Sequence, residues 1–293
     1  LKGYRRCRLC EYLQQGGLPC EDDPERLTAH YRDADPHAAV ARAKAPFFDA
    51  VLDSMEQSIR APERALLDVG CGYGYFLKQA SRRGWKVAGV EIVPEAAGQA
   101  QDAIRSVSVF NGTLRQAAWP DEQFDAVTLW DVLVMMDDPA AEIKECFRIL
   151  KPGGLLGLRL RNVYFQWHLF RLWRRIGKAI AFFGVKRPYV FHPHNFSSEA
   201  IRRLLLRTGF VHVLVTNSPL TLGDPYRYVS KGRAVSVSKS MIHAVSAAVE
   251  KSFHGRWMIG PSLLVWAKKP GEIASGGFST FGVHDAYGNS YSR

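Results

Sequence analysis

Three glycines at alternate positions, Gly70, Gly72 and Gly74, follow an apolar run that ends in Asp68-Val69. Without a Cβ, each lets a ligand lie against bare backbone, and the start of a following helix favours negative charge. Glu91 closes the next apolar run, about twenty residues past the first glycine, where a carboxylate can accept hydrogen bonds from both hydroxyls of a ribose. Both acids fall at the carboxyl ends of predicted strands, where open α/β sheets bind ligands. A dinucleotide fingerprint reads G-x-G-x-x-G. Position 75 here is Tyr, so the spacing is shorter and disfavours a nicotinamide dinucleotide.

A second set of residues could move a proton. His192 and His194 lie in Phe191-His192-Pro193-His194-Asn195-Phe196-Ser197, just before a predicted helix. A histidine pKa near neutrality suits proton abstraction. The competing role is structural, with one ring bracing the helix start. His168, Tyr189 and Asp131 are weaker candidates. Near the beginning, Cys7-x-x-Cys10 with Cys20 behind it offers two thiols and a distant third, an incomplete zinc set, with free thiols in a turn as the alternative. Metal ligation stays open. Cys71 and Cys146 read as small core or loop residues.

These residues need elements to hold them. Strands are predicted at Ala65–Val69, Lys86–Glu91, Ser106–Phe110, Phe124–Leu129, Leu155–Leu160, Phe210–Val215 and Ser262–Ala267. Helices intervene: one through Phe76, Leu77 and Ala80, then Pro94–Ala103, Ala140–Leu150, one capped by Ser197 and closed by Gly209, and Lys239–Phe253. Lys151-Pro152-Gly153-Gly154 reads as a turn. The alternation predicts an α/β fold, a doubly wound, mostly parallel seven-stranded sheet with a helical insertion. The organisation expected is an N-terminal segment (1–44), a main domain (45–270) carrying an insertion (163–195), and a disordered tail (271–293) rich in Gly, Ser and Tyr.

Several stretches together resemble class I S-adenosylmethionine-dependent methyltransferases, in a small-molecule branch like that of ubiquinone biosynthesis. They are Asp68 to Gly74, Val90-Glu91-Ile92, Phe124 to Val127, Leu150 to Gly154, and Phe196-Ser197 through Gly209-Phe210. The resemblance covers roughly residues 45 to 268. It implies S-adenosylmethionine as cofactor, with Asp68 orienting its methionine end and Gly70, Gly72 and Gly74 in backbone contact. It also implies that Glu91 holds the ribose and Ile92 packs on adenine, while Thr113 and Leu114 flank the adenine edge. Trp130 and Asp131 fall where the family faces the amino-acid end and the reacting methyl, although core packing suits Trp130 equally. Many relatives read Glu-His shortly after the fourth strand. Here the residues are Asp131-Val132-Leu133-Val134-Met135, so no base or metal role carries over from that histidine. Some relatives also carry a zinc ribbon ahead of this domain. Cys7 and Cys10 would be its second pair, with the first pair upstream of Leu1.

Composition narrows the partners. The 293 residues carry a formal charge of +11, which favours an anionic substrate, membrane surface or nucleic acid. No apolar run reaches the ~18 residues needed to span a bilayer. The odd cysteine count argues against a disulfide framework, and the expected location is cytoplasmic, peripheral to the membrane if the insertion binds lipid. That insertion sets Leu169, Leu172, Trp173, Ile176, Ile180 and Phe183 opposite Arg171, Arg174, Arg175 and Lys178. Such a basic amphipathic helix can be a lid, a membrane anchor through residues 164–187, or a nucleic-acid contact. Nucleic acid is disfavoured, because Trp130-Asp131-Val132-Leu133 is not the Asn/Asp-Pro-Pro-Tyr loop of base methyltransferases. The expected function is methyl transfer to a hydroxyl, or an activated carbon, of a small molecule: lipid-linked, polyketide or sugar. A non-catalytic cofactor-binding protein and an RNA-ribose methyltransferase are the alternatives.

Overall fold

A computed structural model describes residues 3–16, 34–59, 61–104, 107–182, 189–219, 221, 233–252, 258–271, 283–284 and 290–291. The core is a seven-stranded sheet of β3 (Arg64–Val69), β4 (Trp85–Glu91), β5 (Ser108–Asn111), β6 (Phe124–Trp130), β7 (Leu150–Arg161), β9 (Val211–Asn217) and β10 (Ser262–Lys268). Its order is β5-β4-β3-β6-β7-β10-β9. Only β10 runs against its neighbours, pairing antiparallel with both β7 and β9. The chain reverses direction across the sheet between β3 and β6, and such a switch point opens a crevice at the strands' carboxyl ends. Asp68, Glu91, Trp130 and Arg161 all stand at that edge.

Alternating strand residues bury into two layers. Leu66, Ala126, Trp130, Leu155 and Trp266 face α1 (Ala34–Ser58) and α2 (Tyr75–Arg82), where Phe47, Phe48, Val51, Leu52, Met55 and Phe76 meet them. Leu67, Val127, Leu129, Leu156, Leu158 and Val265 face α4 (Pro139–Ile149) and α6 (Ser198–Thr208) through Ile143, Cys146, Ile149, Ile201 and Leu205. A strand residue must lie on one face or the other, which is why these runs are mostly apolar, Asp68, Thr128 and Arg159 being buried exceptions. Each large side chain so buried contributes roughly 2–3 kcal/mol. Helices α3 (Pro94–Ala103) and α7 (Arg233–Ser252) complete the flanks. No helix among the described residues is long and apolar enough to cross a membrane.

Ser197 caps α6 by accepting from the Ala200 amide at 3.0 Å, and Gly209 closes it at φ 110°. At Lys151 to Gly154 the chain stays in β7 rather than leaving the sheet. The segment is absorbed as a bulge, with the β6 register shifting between Phe124↔Leu150 and Ala126↔Leu155. Gly153 at φ 77° makes the bend, and Lys269 N–H donates to Gly154 O at 2.9 Å. Helix α1 runs unbroken past residue 44, because its apolar stripe packs on the sheet along its second half.

The N-terminal cysteines sit in the turn of a hairpin, β1 (Tyr4–Arg6) and β2 (Leu13–Gln15), and are free thiols. β2 pairs antiparallel with β8 (His194–Asn195), which sets this ribbon directly against His194. Cys20 lies outside the described residues, and among those described no group of three or more metal-binding side chains converges. The insertion forms one long helix, α5 (Val163–Phe182). Of the expected tail, residue 271 and two paired two-residue strands, β11 (Val283–His284) and β12 (Ser290–Tyr291), are described; the rest lies outside.

Candidate active site

At the end of β3 the three glycines all take left-handed backbone, φ 71°, 54° and 70°. Each has a different reason to lack a side chain. A Cβ on Gly70 would strike Val132 at 2.6 Å, and one on Gly74 would press Ala100 at 3.0 Å. A Cβ on Gly72 would meet nothing within 4 Å, so its bare face opens onto free space. That is a cradle a side chain would fill.

Glu91 stands behind this loop, buried at 3% exposure. One carboxylate oxygen accepts from Gly72 N–H at 2.8 Å and the other from Val93 N–H at 3.0 Å. Burial raises its pKa, and those two amides offset only part of the rise. Each oxygen keeps a lone pair for a further donor, as a ribose diol requires. Asn111 Nδ2 donates to Glu91 O (2.9 Å) and Ile92 O (3.2 Å), tying the strand ends together. Ile92 is 46% exposed beside this carboxylate, free to pack on a flat ring. Thr113 bonds Gln116 through both its amide and its hydroxyl, while Leu114 is buried in the core.

Asp68, also buried, faces Thr128 across the β3–β6 register and accepts its hydroxyl at 2.7 Å. Thr128 is its hydrogen-bond donor among the described residues, and burial pushes the carboxyl up to about 7 against that bond and the field of Lys44. An acid so placed is poised to ionise against an arriving cation. These groups therefore fit an adenosine-type nucleoside with a charged amino-acid end: bare backbone, a diol acceptor and an acid for an ammonium.

The acceptor side is built differently. Trp130 is a core residue, edge-on to Phe47, Phe76 and Trp266 at 5.3, 5.3 and 6.2 Å. Asp131, next along, holds φ 67°, unusual outside glycine, and binds Lys44 at 2.9 Å and Arg159 at 3.2 Å. Burial would raise its pKa, but Arg159, Lys44 and Arg161 together hold it far below the usual carboxylate range. Arg159 is buried, stacks 4.8 Å over Phe47, and also donates to Ser218 and Thr221.

The two histidines part company. His194 lies in β8, buried, with Nδ1 against the Tyr12 hydroxyl and the ring stacked on Tyr12 at 19°. It also bonds the Asp137 backbone, which offsets part of the lowering that burial imposes on its pKa. His192 instead places Nδ1 3.1 Å from Met135 Sδ, in the short turn after β6, and its pKa is lowered to about 4 by burial and then Arg161. Asn195 fixes its backbone on both sides. Sequence reasoning missed Lys44, Thr128 and Arg159. An arginine inside the apolar run Leu155–Leu160 was a readable signal; nothing marked Lys44.

A methyltransferase-domain family model matches residues 28–215. The chain belongs to this family. In family and fold it is a class I S-adenosylmethionine-dependent methyltransferase. Its relatives include the ubiquinone biosynthesis O-methyltransferases of Pseudomonas fluorescens, 33% identical over 105 residues, and Alkalilimnicola ehrlichii, 36% over 109. Those matches take in 34% and 35% of this methyltransferase and 45% and 44% of the relatives, so it spans about half their length. A SAM-dependent methyltransferase from Thermotoga maritima shares the fold at TM-score 0.52 and 23% identity, over 84% of this chain and 97% of that one. One from Archaeoglobus fulgidus does so at 0.50 and 18%, over 85% and 100%.

Proposed function

We propose that this methyltransferase moves the methyl group of S-adenosylmethionine to a hydroxyl oxygen of a small molecule, with His192 as the general base. The observation that carries this reading is the contact of His192 Nδ1 with Met135 Sδ, 3.1 Å away in the turn after β6, which sets the ring near Trp130 and Asp131, where the family resemblance implies the reacting methyl. Oxygen is favoured over carbon because the curated relatives it resembles are O-methyltransferases. The cofactor's sulfonium supplies an electrophilic methyl, so the chain's task is mainly alignment and removal of one proton.

Glu91 accepts the two ribose hydroxyls, and Gly72 lets the nucleoside lie on bare backbone, in a loop that Gly70 and Gly74 allow to pack against Val132 and Ala100. Ile92 packs on the adenine, with the Thr113–Leu114 segment at its edge. Asp68 takes the ammonium and Lys44, which feels both Asp68 and Asp131, takes the carboxylate. With Nδ1–H donated to the Met135 thioether, the lone pair of His192 is on Nε2, where it would accept the hydroxyl proton as the oxygen–carbon bond forms and the sulfur–carbon bond breaks to leave S-adenosylhomocysteine. Asp131 is a positioning residue, locking α1 and β7 to the end of β6 through Lys44 and Arg159.

Helix α5 supports a peripheral membrane contact. Leu172 and Ile176 are 52% and 41% exposed, and Arg171, Arg174 and Arg175 are exposed around them. Apolar groups among arginines suit an anionic lipid surface. A lipid-linked acceptor would be met there.

The test is transfer of labelled methyl from S-adenosylmethionine to a panel of phenols, catechols, sugars and lipid extracts. Label recovered as an aryl or alkyl methyl ether supports the reading. Tight cofactor binding with no turnover on any acceptor would favour the non-catalytic alternative.

A further inference from the structure

Arg161 ends β7 at the sheet's carboxyl edge, two residues beyond Arg159 and so on the same face. Arg159 is spoken for: Nε donates to Ser218 Oγ at 3.1 Å, Nη2 to Thr221 Oγ1 at 2.8 Å, and Nη1 to Asp131 Oδ2 at 3.2 Å. Lys44 meets that same carboxylate oxygen at 2.9 Å. Arg161 is the third cation acting on Asp131, so three positive charges gather around one negative. Arg161 is only partly exposed, and among the described residues its side chain makes no hydrogen bond or salt bridge, its backbone alone being paired with β10. No acidic residue occurs between Glu145 and Glu199 to neutralise it locally. Asp131 is already bonded by Lys44 and Arg159, so the donors of Arg161 are left over, and its planar fork matches a carboxylate or phosphate.

Resting on the methyl-transfer reading above, we infer that Arg161 receives an oxyanion of the acceptor, so the substrate is an acidic small molecule whose hydroxyl lies near a carboxylate or phosphate. The cofactor's own carboxylate is the competing claimant. Lys44 is the cation within reach of Asp68, at the cofactor's amino-acid end, whereas the field of Arg161 falls on His192, at the acceptor's end. The arrangement also couples binding to chemistry. Burial and then Arg161 hold His192 weakly basic, and an oxyanion that neutralises Arg161 lifts the second of these when the acceptor is in place.

The test is calorimetric titration of the full chain, saturated with S-adenosylhomocysteine, using catechol, 3,4-dihydroxybenzoate and catechol monophosphate. At least one acid should bind about tenfold or more tightly than catechol. The stronger of the two identifies carboxylate or phosphate. Arg161→Gln should erase that preference, Arg161→Lys should keep part of it, and S-adenosylhomocysteine affinity should be unchanged in both. Equal binding of all three probes overturns the inference, as does a preference that survives Arg161→Gln. Weakened S-adenosylhomocysteine binding in either variant would give Arg161 to the cofactor instead. Should the wild-type chain bind no S-adenosylhomocysteine at all, the methyl-transfer reading falls with it; binding without an anion preference sinks this inference alone.

Discussion

The two halves of the crevice are made from different materials. The cofactor half, at the ends of β3 and β4, is mostly backbone: three left-handed glycines and a carboxylate pinned by two amides. The acceptor half, at the ends of β6 and β7, is mostly side chains drawn from α1, β6, β7 and the segments around β8 and β9. Backbone sites fix a shape common to every molecule that presents the same nucleoside. Side-chain sites can be retuned one residue at a time, which suits the half that must choose a substrate.

If the halves act separately, His192→Ala should cut turnover by about 10²–10⁴ while leaving S-adenosylhomocysteine affinity near normal. Loss of both together would show that the division is false. Glu91→Ala removes the acceptor of both ribose hydroxyls, two hydrogen bonds to a charged group worth about 3 kcal/mol together, so calorimetry should show cofactor affinity falling roughly a hundredfold. Turnover at saturating cofactor should suffer much less.

A pH titration sharpens the contrast. Asp68 has its pKa raised to about 7, so below that value the ligand-free protein must release a proton before meeting an ammonium. Cofactor affinity should therefore tighten as pH rises from 6 and level off above about 7, approaching tenfold per unit on the acid side. Asp68→Asn should bind weakly with a flat profile. The smallest effect is expected at His194. With its ring engaged by Tyr12 and Asp137, His194→Ala should cost about 1–3 kcal/mol of stability, read as a lower Tm, with turnover per folded molecule largely kept.

The same contrast explains what was legible in the sequence. The positions of the sheet strands along the chain could be read because the central ones, β3, β4, β6 and β10, are largely apolar runs buried on both faces, and Gly70, Gly72, Gly74 and Glu91 because their spacing is local. Lys44 gave no sign, since it acts on Asp131 across 87 positions of chain. The difference between His192 and His194 was equally hidden. It depends on Tyr12, brought over by a hairpin whose strand pairing with β8 no local pattern announces. Helix α1 was obscured by Pro46, although Phe47, Phe48, Val51, Leu52 and Met55 carry helical spacing just after it.

The most direct test is a crystal structure of the chain with S-adenosylhomocysteine. The ribose hydroxyls should lie within hydrogen-bond reach of Glu91, the nucleoside over Gly72, and the sulfur toward the His192 side of the crevice. A nucleoside found away from the β3–β4 edge, or a sulfur facing away from His192, would contradict the account.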